Sequence, residues 1–458
     1  MKRTLGPVYS CLKSDSPSIW KIQLGNESFL FQLDESLPIH KNLIYSLQWV
    51  MIAIPNVIIF SALGSAALQL DALAQVSFSQ RLLLATGLMT LLQSLKGHRF
   101  PILEGPSSAA ALSFIILAPE GLSAIQGGMM IGGLLLIVIG VFRWFRWLSK
   151  FFTKNVIGVI LILVALTLLP FIAPLLIGTS RSHPFGDVNV WGSSLFIILF
   201  VSVFSNRLRG FLQTTAMLAG IILGFFLFLL QGRISMVLVR EASWFALPSP
   251  LFGEWPSLSL SSLLSFVITY LAVMVNTVGS IQGVSEMVTK EGLEKRIHRG
   301  IALTGLGGIV PACLGVMGMV SYAISPGVIL VSRVASRYVL TLSGAIMVFC
   351  AFIPKLWAFL TTIPSSVIAS VLFVALASQL MAGMNTMMTG KRKMERREYF
   401  TVGIPILLGA SVAILPKPFI LLFPSAIASF VGNGLVIGIL SSLLFEHVLF
   451  RPRNSRNE

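Results

Sequence analysis

At 458 residues, with 55% hydrophobic and only 11% charged residues, the chain falls well short of the roughly 25% charge with which a soluble domain faces water. That excludes a soluble enzyme or a water-borne binding module and asks for a surface turned to lipid. The net charge of +16 is a first footprint of nucleic-acid binding, but the placement of that charge, described below, removes the reading.

A bilayer-crossing helix needs about 20 predominantly apolar residues. Apolar runs of that kind lie near 44–64, 80–95, 102–118, 123–142, 155–175, 190–206 and 211–230, and again near 258–284, 300–318, 319–332, 338–354, 364–384, 399–415 and 425–449. They predict an all-α polytopic membrane protein of about 14 transmembrane segments. The chain divides into a cytoplasmic tail at 1–43, a first seven-span half at 44–230 and an extracytoplasmic connection at 231–257. A second seven-span half at 258–449 and a cytoplasmic tail at 450–458 complete it.

The basic residues test the count independently, because cytoplasmic loops collect Lys and Arg. With both termini cytoplasmic, 27 of the 33 basic residues fall inside, and the outside set is Arg81, Arg181, Arg233, Arg240, Lys355 and Lys417. Runs such as FRWFRWLSKFF at 142–152 and GKRKMERRE at 390–398 then read as cytoplasmic anchors, not as a nucleic-acid surface. The three cysteines, Cys11, Cys313 and Cys350, have no CxxC spacing, so no disulfide framework or metal site is implied. The first forty residues carry no signal-peptide pattern. WKIQLGNESFLFQL at 20–33 reads as a small hairpin turning at Gly25 and Asn26.

Two spans are interrupted. FPILEGPSSAAALS at 100–113 and GMVSYAISPGVILVS at 318–332 each hold an extended-looking run, a Gly and Pro pair and a new apolar stretch. The residue before proline avoids the α region, so Gly105 and Ser325 end extended segments. Either break alone is an ordinary proline kink; matched in the third span of each half, they point to broken helices around a mid-membrane site. The amides of Ser107 and Ser108, and of Gly327 and Val328, are then expected to face a shared cavity from half-helix N-termini.

At these breaks the chain resembles the nucleobase/ascorbate transporter family, also called nucleobase:cation symporter 2. The resemblance runs over nearly all of 40–450 and rests on SLQWVMIAIPN at 46–56, FPILEGPSSAA at 100–110, HRGIALTGLGGIVPACLGVMGMVSYAISPGVILVSRVASRYV at 298–339 and FIPKLWAFLTTIPSSVIAS at 352–370. It implies 7+7 inverted repeats, short extended segments in the third and tenth spans, core and gate domains, and nucleobase uptake coupled to protons. Departures stand beside it. The eighth-span glutamate of the family is matched by Asn276, its tenth-span acid or glutamine by Ile324, with Ser325, Pro326 and Gly327 following, and its first-span histidine by Trp49.

The substrate-binding set marked by the breaks and the resemblance is Gln48, Glu104, Ser107, Ser108, Asn276, Ser280, Tyr322, Ala323, Ile324 and Ser325. Asn276 can donate to and accept from a base edge but cannot titrate. His40, His98, His183, His298 and His447 all fall in loops or at span ends and are read as solvated. The proton-coupling candidate is Glu104. If 99–104 were helical it would lie about 7–8 Å beyond Arg99, within reach of the interface and of pairing with Arg99 or Lys96; extended, it lies roughly 17 Å in. A carboxylate that deep costs about 2.5–3.5 kcal/mol and is kept for binding or relay. Glu286 is the fallback.

The expectation is a plasma-membrane permease for a purine such as xanthine, urate, guanine or adenine, working by proton symport and alternating access. Its partners are the nucleobase, a proton and membrane lipid, with a homodimer left open and no cofactor, metal or nucleic acid. A same-fold carrier of dicarboxylate, bicarbonate or sulfate and a non-transporting membrane sensor are the rivals, while nothing supports an enzyme.

Overall fold

The computed structural model describes residues 29–179, 183–208, 215–248, 255–389, 394–420 and 422–450. Apart from single helical turns at Phe145–Leu148, Val237–Glu241 and Lys417–Ile420, the first seven helices are α1 (Ile39–Ala67), α2 (Ala72–Leu95), α3 (Ser108–Leu117), α4 (Leu122–Val141), α5 (Lys154–Leu176), α6 (Val188–Arg207) and α7 (Ala216–Leu230). Then come α8 (Leu260–Met287), α9 (Leu293–Cys313), α10 (Ser325–Ser332), α11 (Arg337–Ala351), α12 (Pro354–Thr361) and α13 (Ser365–Met388). The last are α14 (Arg396–Ala413), α15 (Ser425–Val431) and α16 (Gly434–Leu444). Two three-residue strands, β1 (Glu104–Pro106) and β2 (Met319–Ser321), precede α3 and α10. Several helices start on a side-chain oxygen that takes an otherwise orphaned amide: Asp71 for α2, Thr153 for α5, Ser259 for α8 and Asn433 for α16.

Among the described residues, α1, α4, α5, α6, α8 and α13 are long and apolar enough to cross a membrane, and α11 with α12 makes a seventh if that pair, bent by 84°, is one span. The other apolar runs become shorter or more polar helices. α2 begins eight residues before the run read at 80–95 and contains Gln75, Gln80, Arg81 and Gln93; α9 opens on LEKRIHRG. The run at 425–449 divides between α15 and α16 at Asn433. Arg81, placed outside by sequence, lies within α2 and is 1% exposed. The turn and first strand of the hairpin read at 20–33 lie outside the described residues, and its remaining end follows another path. Leu30 N–H donates to Arg333 O, Phe31 bridges Val334 in parallel, and Arg337 N–H donates to Leu33 O.

Packing falls into two groups. α1, α2, α3 and α4 pack with α8, α9, α10, α11 and α12; α5, α6 and α7 pack with α13, α14 and α16. With no water to expel between helices in lipid, close approach through small residues does the work. At the α4–α9 crossing, a Cβ on Gly133 would stand 2.5 Å from Gly305 O, and one on Gly305 would stand 2.4 Å from Gly133 O. The α2–α11 crossing repeats the device with Gly87 and Gly344, each 2.8 Å from the other's carbonyl. Ser113 of α3 bonds Thr269 of α8 at 2.7 Å within the first group and, across to the second, accepts at 3.1 Å from Nδ2 of Asn433, the cap of α16, all three buried.

Candidate functional site

Pro101 and Pro106 keep the segment after α2 from continuing as helix; 99–103 is irregular, with Arg99 at a left-handed φ of 57° and Ile102 N–H bonded back to Phe100 O, and strand begins at Glu104. Glu104 opens β1 and is fully buried; because His98 Nε2 lies 3.4 Å from its carboxylate, the chain between the two residues turns back and is not the extended run that the deep placement assumed. The chain break at 318–321 supplies what an interrupted span needs in lipid, partners for its bare backbone groups. β1 and β2 pair antiparallel with Glu104 opposite Ser321, Gly105 opposite Val320 and Pro106 opposite Met319. Tyr322 N–H donates to Leu103 O and Ser107 N–H to Gly318 O, extending the pair at both ends. Gly105 is required by close approach: a Cβ there would lie 2.4 Å from Tyr322 Cζ and Oη.

Several predicted site residues are structural in this arrangement. The Ser107 amide, expected to face a cavity, is spent on Gly318, while its hydroxyl caps α3 by accepting from Ala110 N–H. The Val328 amide is likewise consumed inside α10 by Ile324 O. Ser325, expected to end an extended segment, instead opens α10, since β2 stops at Ser321 and a turn at Ala323–Ile324 follows it; it is fully buried and its hydroxyl accepts from Leu103 N–H at 3.1 Å. Ser280 is buried and donates to Ser321 O at 2.8 Å and to Asn276 O at 3.0 Å, tying α8 to β2.

What remains accessible is a small group of a different kind. Asn276 is half-buried, and its amide has no hydrogen-bond partner among the described residues. One turn on, Gly279 is exposed, with open space where a Cβ would be, and Gly327 of α10 also faces open space. Gly283 continues this face of α8 and lies against Pro326 of α10. Ala323 and Ile324 are exposed at the turn between β2 and α10, Ser108 is half-buried at the start of α3, and the half-buried Tyr322 donates its hydroxyl to Pro106 O at 3.2 Å. Gln48 is half-buried on α1, which packs against β1 and α3, and its amide is also unpaired among the described residues. The pattern is an unpaired amide on α8, one turn from the Ser280 that bonds Ser321 O, and an exposed turn that follows the same strand, with open positions at Gly279 and Gly327.

Glu104 lies behind that surface. It is fully buried, Ser321 Oγ donates to its Oε1 at 2.6 Å, and His98 Nε2 lies 3.4 Å from the same oxygen. Lys96 and Arg99 are exposed and do not pair with it. The reading of all five histidines as solvated fails here, since His98 is 0% exposed and His298 only 7%. The cause is the apolar company of Phe100, Ile102 and Leu103, each fully buried, which draws the segment inward. A sequence signal existed: those apolar residues mark the segment around His98 for burial. The backbone of Glu104 is held by Thr90 of α2, whose hydroxyl accepts its N–H at 3.2 Å. Gln93 of α2 bridges to Gly300 O and Thr304 of α9.

A model of the Permease family, Xan_ur_permease, matches residues 40–417. Among similar proteins, the "Nucleobase transporter PlUacP" of Paenibacillus larvae is 26% identical over 382 residues, covering 82% of this chain and 87% of that protein. The "Uric acid permease PucJ" of Bacillus subtilis is 24% identical over 422 residues, covering 90% and 93%. Among solved structures, the transmembrane domain of the cyanobacterial bicarbonate transporter BicA shares the fold at a TM-score of 0.56, with 18% identity and 82% and 97% of the two chains covered.

Proposed function

This chain belongs to the xanthine/uracil permease family of multi-pass membrane transporters, and from that premise we propose that it takes up a purine nucleobase across the plasma membrane by alternating access. Curated relatives carry names of nucleobase, uric acid and xanthine transporters, which supports this substrate class for the present chain. The observation that carries the reading is the unpaired Asn276 amide, one turn from the Ser280 that bonds Ser321 O, together with the exposed turn Ala323–Ile324 that follows β2. An amide offers a donor and an acceptor side by side, the complement of the adjacent N–H and C=O on a purine lactam edge. The open positions at Gly279 and Gly327 leave room for a flat ring, and Tyr322 stands at the edge of the same turn.

The division of the helices into two groups supports movement of a core carrying both interrupted spans against a gate. Inverted repeats are supported by the two glycine crossings: under a seven-plus-seven correspondence, α4 against α9 maps onto α11 against α2. The proposed coupling ion is a proton carried at Glu104, since Asn276 cannot titrate. Counterflow of radiolabelled xanthine, uric acid, guanine and adenine in vesicles, with and without a proton gradient, tests the reading. Exchange of a purine and its gradient-driven accumulation are expected. Accumulation of sulfate or bicarbonate with no purine exchange would overturn it.

A further inference from the structure

The buried His98–Glu104 pair has a geometry more specific than a salt bridge. His98 Nδ1 accepts the Phe100 N–H at 3.0 Å. A ring nitrogen that accepts carries no hydrogen, so the imidazole proton sits on Nε2 and points at Glu104 Oε1. A second ring proton would have to occupy Nδ1 and meet the Phe100 N–H head-on, so this contact holds the imidazole neutral. Oε1 thus receives donors from both His98 and Ser321. Glu104 Oε2 is buried and has no hydrogen-bond partner among the described residues. A bare carboxylate oxygen in that position is costly, and a proton on it removes the cost.

We propose that His98 and Glu104 form one proton-loading unit, in which the exchanged proton resides on Glu104 Oε2 and His98 is the positioning residue that sets when it leaves. Loading is one proton moving from a hydronium ion to an Oε2 lone pair, which turns the carboxylate into the neutral acid and the hydronium into water; unloading reverses it. The use of this step in uptake rests on the nucleobase-permease reading, whereas the step itself does not.

The surroundings favour a single titrating acid. From α9, Arg296 donates to His98 O at 3.1 Å and to Arg99 O at 3.0 Å and lies 4.6 Å from the Phe100 ring centre. Gly300 of α9 packs against the His98 ring. From α11, Arg337 reaches Ser94 O and is paired with Asp34. The hairpin contributes the Tyr322 phenol, and α2 and α8 contribute the neutral Thr90, Gln93 and Ser280. Lys96 and Arg99, on the segment itself, are exposed. Loading reaches the substrate face by a short route. It weakens the charge-assisted bond from Ser321, whose carbonyl accepts from Ser280, one turn from Asn276.

The test is an infrared pH titration of the purified full chain in lipid nanodiscs without substrate, reading the C=O band of a protonated carboxylic acid. Wild type is expected to show a titrating band that Glu104→Gln removes. His98→Leu and, separately, Ser321→Ala each delete a donor to Oε1 and are expected to hold the band to higher pH by about one unit or more. His98→Gln, which keeps a donor near the Nε2 position, is expected to shift it less. Should His98→Leu not fold, His98→Asn, which offers Phe100 an acceptor but lacks the distal donor, is judged in its place. A band that survives Glu104→Gln, or a histidine variant whose titration superposes on wild type, overturns the proposal. Absence of purine counterflow in wild type, with the band behaving as stated, would instead defeat the transport reading and leave the pair standing.

Discussion

Glu104 and Ser321 face each other across the β1–β2 pair, and their side chains meet as directly as their backbones, with Ser321 Oγ donating to Glu104 Oε1 at 2.6 Å. One carboxylate therefore fastens together two interruptions of the helical bundle. Ser280 binds the same strand from the other side, so the acid, the hairpin and α8 move as one piece. Under the proposed function, a substrate held by Asn276 would rest on that piece.

Removing the Asn276 amide tests recognition without disturbing this framework, because its side chain bonds nothing within the described protein. Asn276→Ala is expected to weaken purine binding by about 1–3 kcal/mol, roughly five- to 150-fold in Kd, with little change in melting temperature. Equilibrium binding of labelled xanthine and uric acid measures this. Equal affinity in the variant would make the amide a packing group.

Gly105 tests the hairpin. Gly105→Ala places a methyl 2.4 Å from the Tyr322 ring, and overpacking of this kind costs about 1–3 kcal/mol. A lower melting temperature and lost uptake are expected. In the double variant Gly105→Ala with Tyr322→Ala, much of the stability should return. Simple addition of the two single effects would show that the contact is not the cause.

Arg81 is predicted to be architectural. Its Nη1 donates to Leu314 O at 3.0 Å, at the C-terminal cap of α9, and its Nε to Ser77 O at 3.2 Å. A cation also complements the carbonyl end of a helix. Arg81→Met should lower thermal stability, by about 1–3 kcal/mol for the abandoned carbonyl, while the KM of the remaining folded protein stays unchanged. A raised KM with unaltered melting would place Arg81 on the substrate path.

Outside the membrane segments, Asp187 gives a pH signature. Its carboxyl is held below the usual range first by the hydrogen bond from Arg233, at 2.6 Å, and then by the Asn189 N–H. A carboxylate depressed in the folded state stabilises above its unfolded titration and loses that contribution as pH falls through the folded one. Asp187→Asn should therefore melt lower than wild type at neutral pH, and the gap should close in acid, below the ordinary carboxylate range. A gap constant with pH would assign the effect to something other than charge.

The parts of this architecture that composition controls were open to inspection in the sequence. Gly105 with Pro106 disfavours a regular helix, so the first interruption follows from local chemistry, whereas Pro326 and Gly327 lie inside α10, with Pro326 in its first turn, and the second break falls before them at 318–324. The mutual pairing of the two breaks does not follow from local chemistry, because register across so long a separation depends on the folded bundle. The same reason hides the duties of Ser107, Ser280 and Ser325, whose hydroxyls are consumed by backbone partners from elsewhere. His98 was missed because a charged neighbour, Arg99, marked the segment as a loop; Arg99 takes a left-handed backbone, φ 57°, and stays exposed while the residues around it turn inward. The division at Asn433 lies in an apolar run that hydropathy alone reads as continuous, and α12 falls between the runs read at 338–354 and 364–384.

Biosynthesis inherits a difficulty from the β1–β2 pair. Glu104 and Ser321 are 217 residues apart, so during translation β1 is made long before its partner exists. In the interval its amides and carbonyls have no strand to answer them, in a solvent that supplies no substitute. The amino-terminal half is then obliged to wait in an unfinished state, shielded by the insertion machinery or by water it must later lose. Assembly is gated by the arrival of β2, as in other folds dominated by non-local pairings. Truncation products ending before residue 319 should therefore be conspicuous substrates for membrane quality control, whatever the apolarity of the helices they contain.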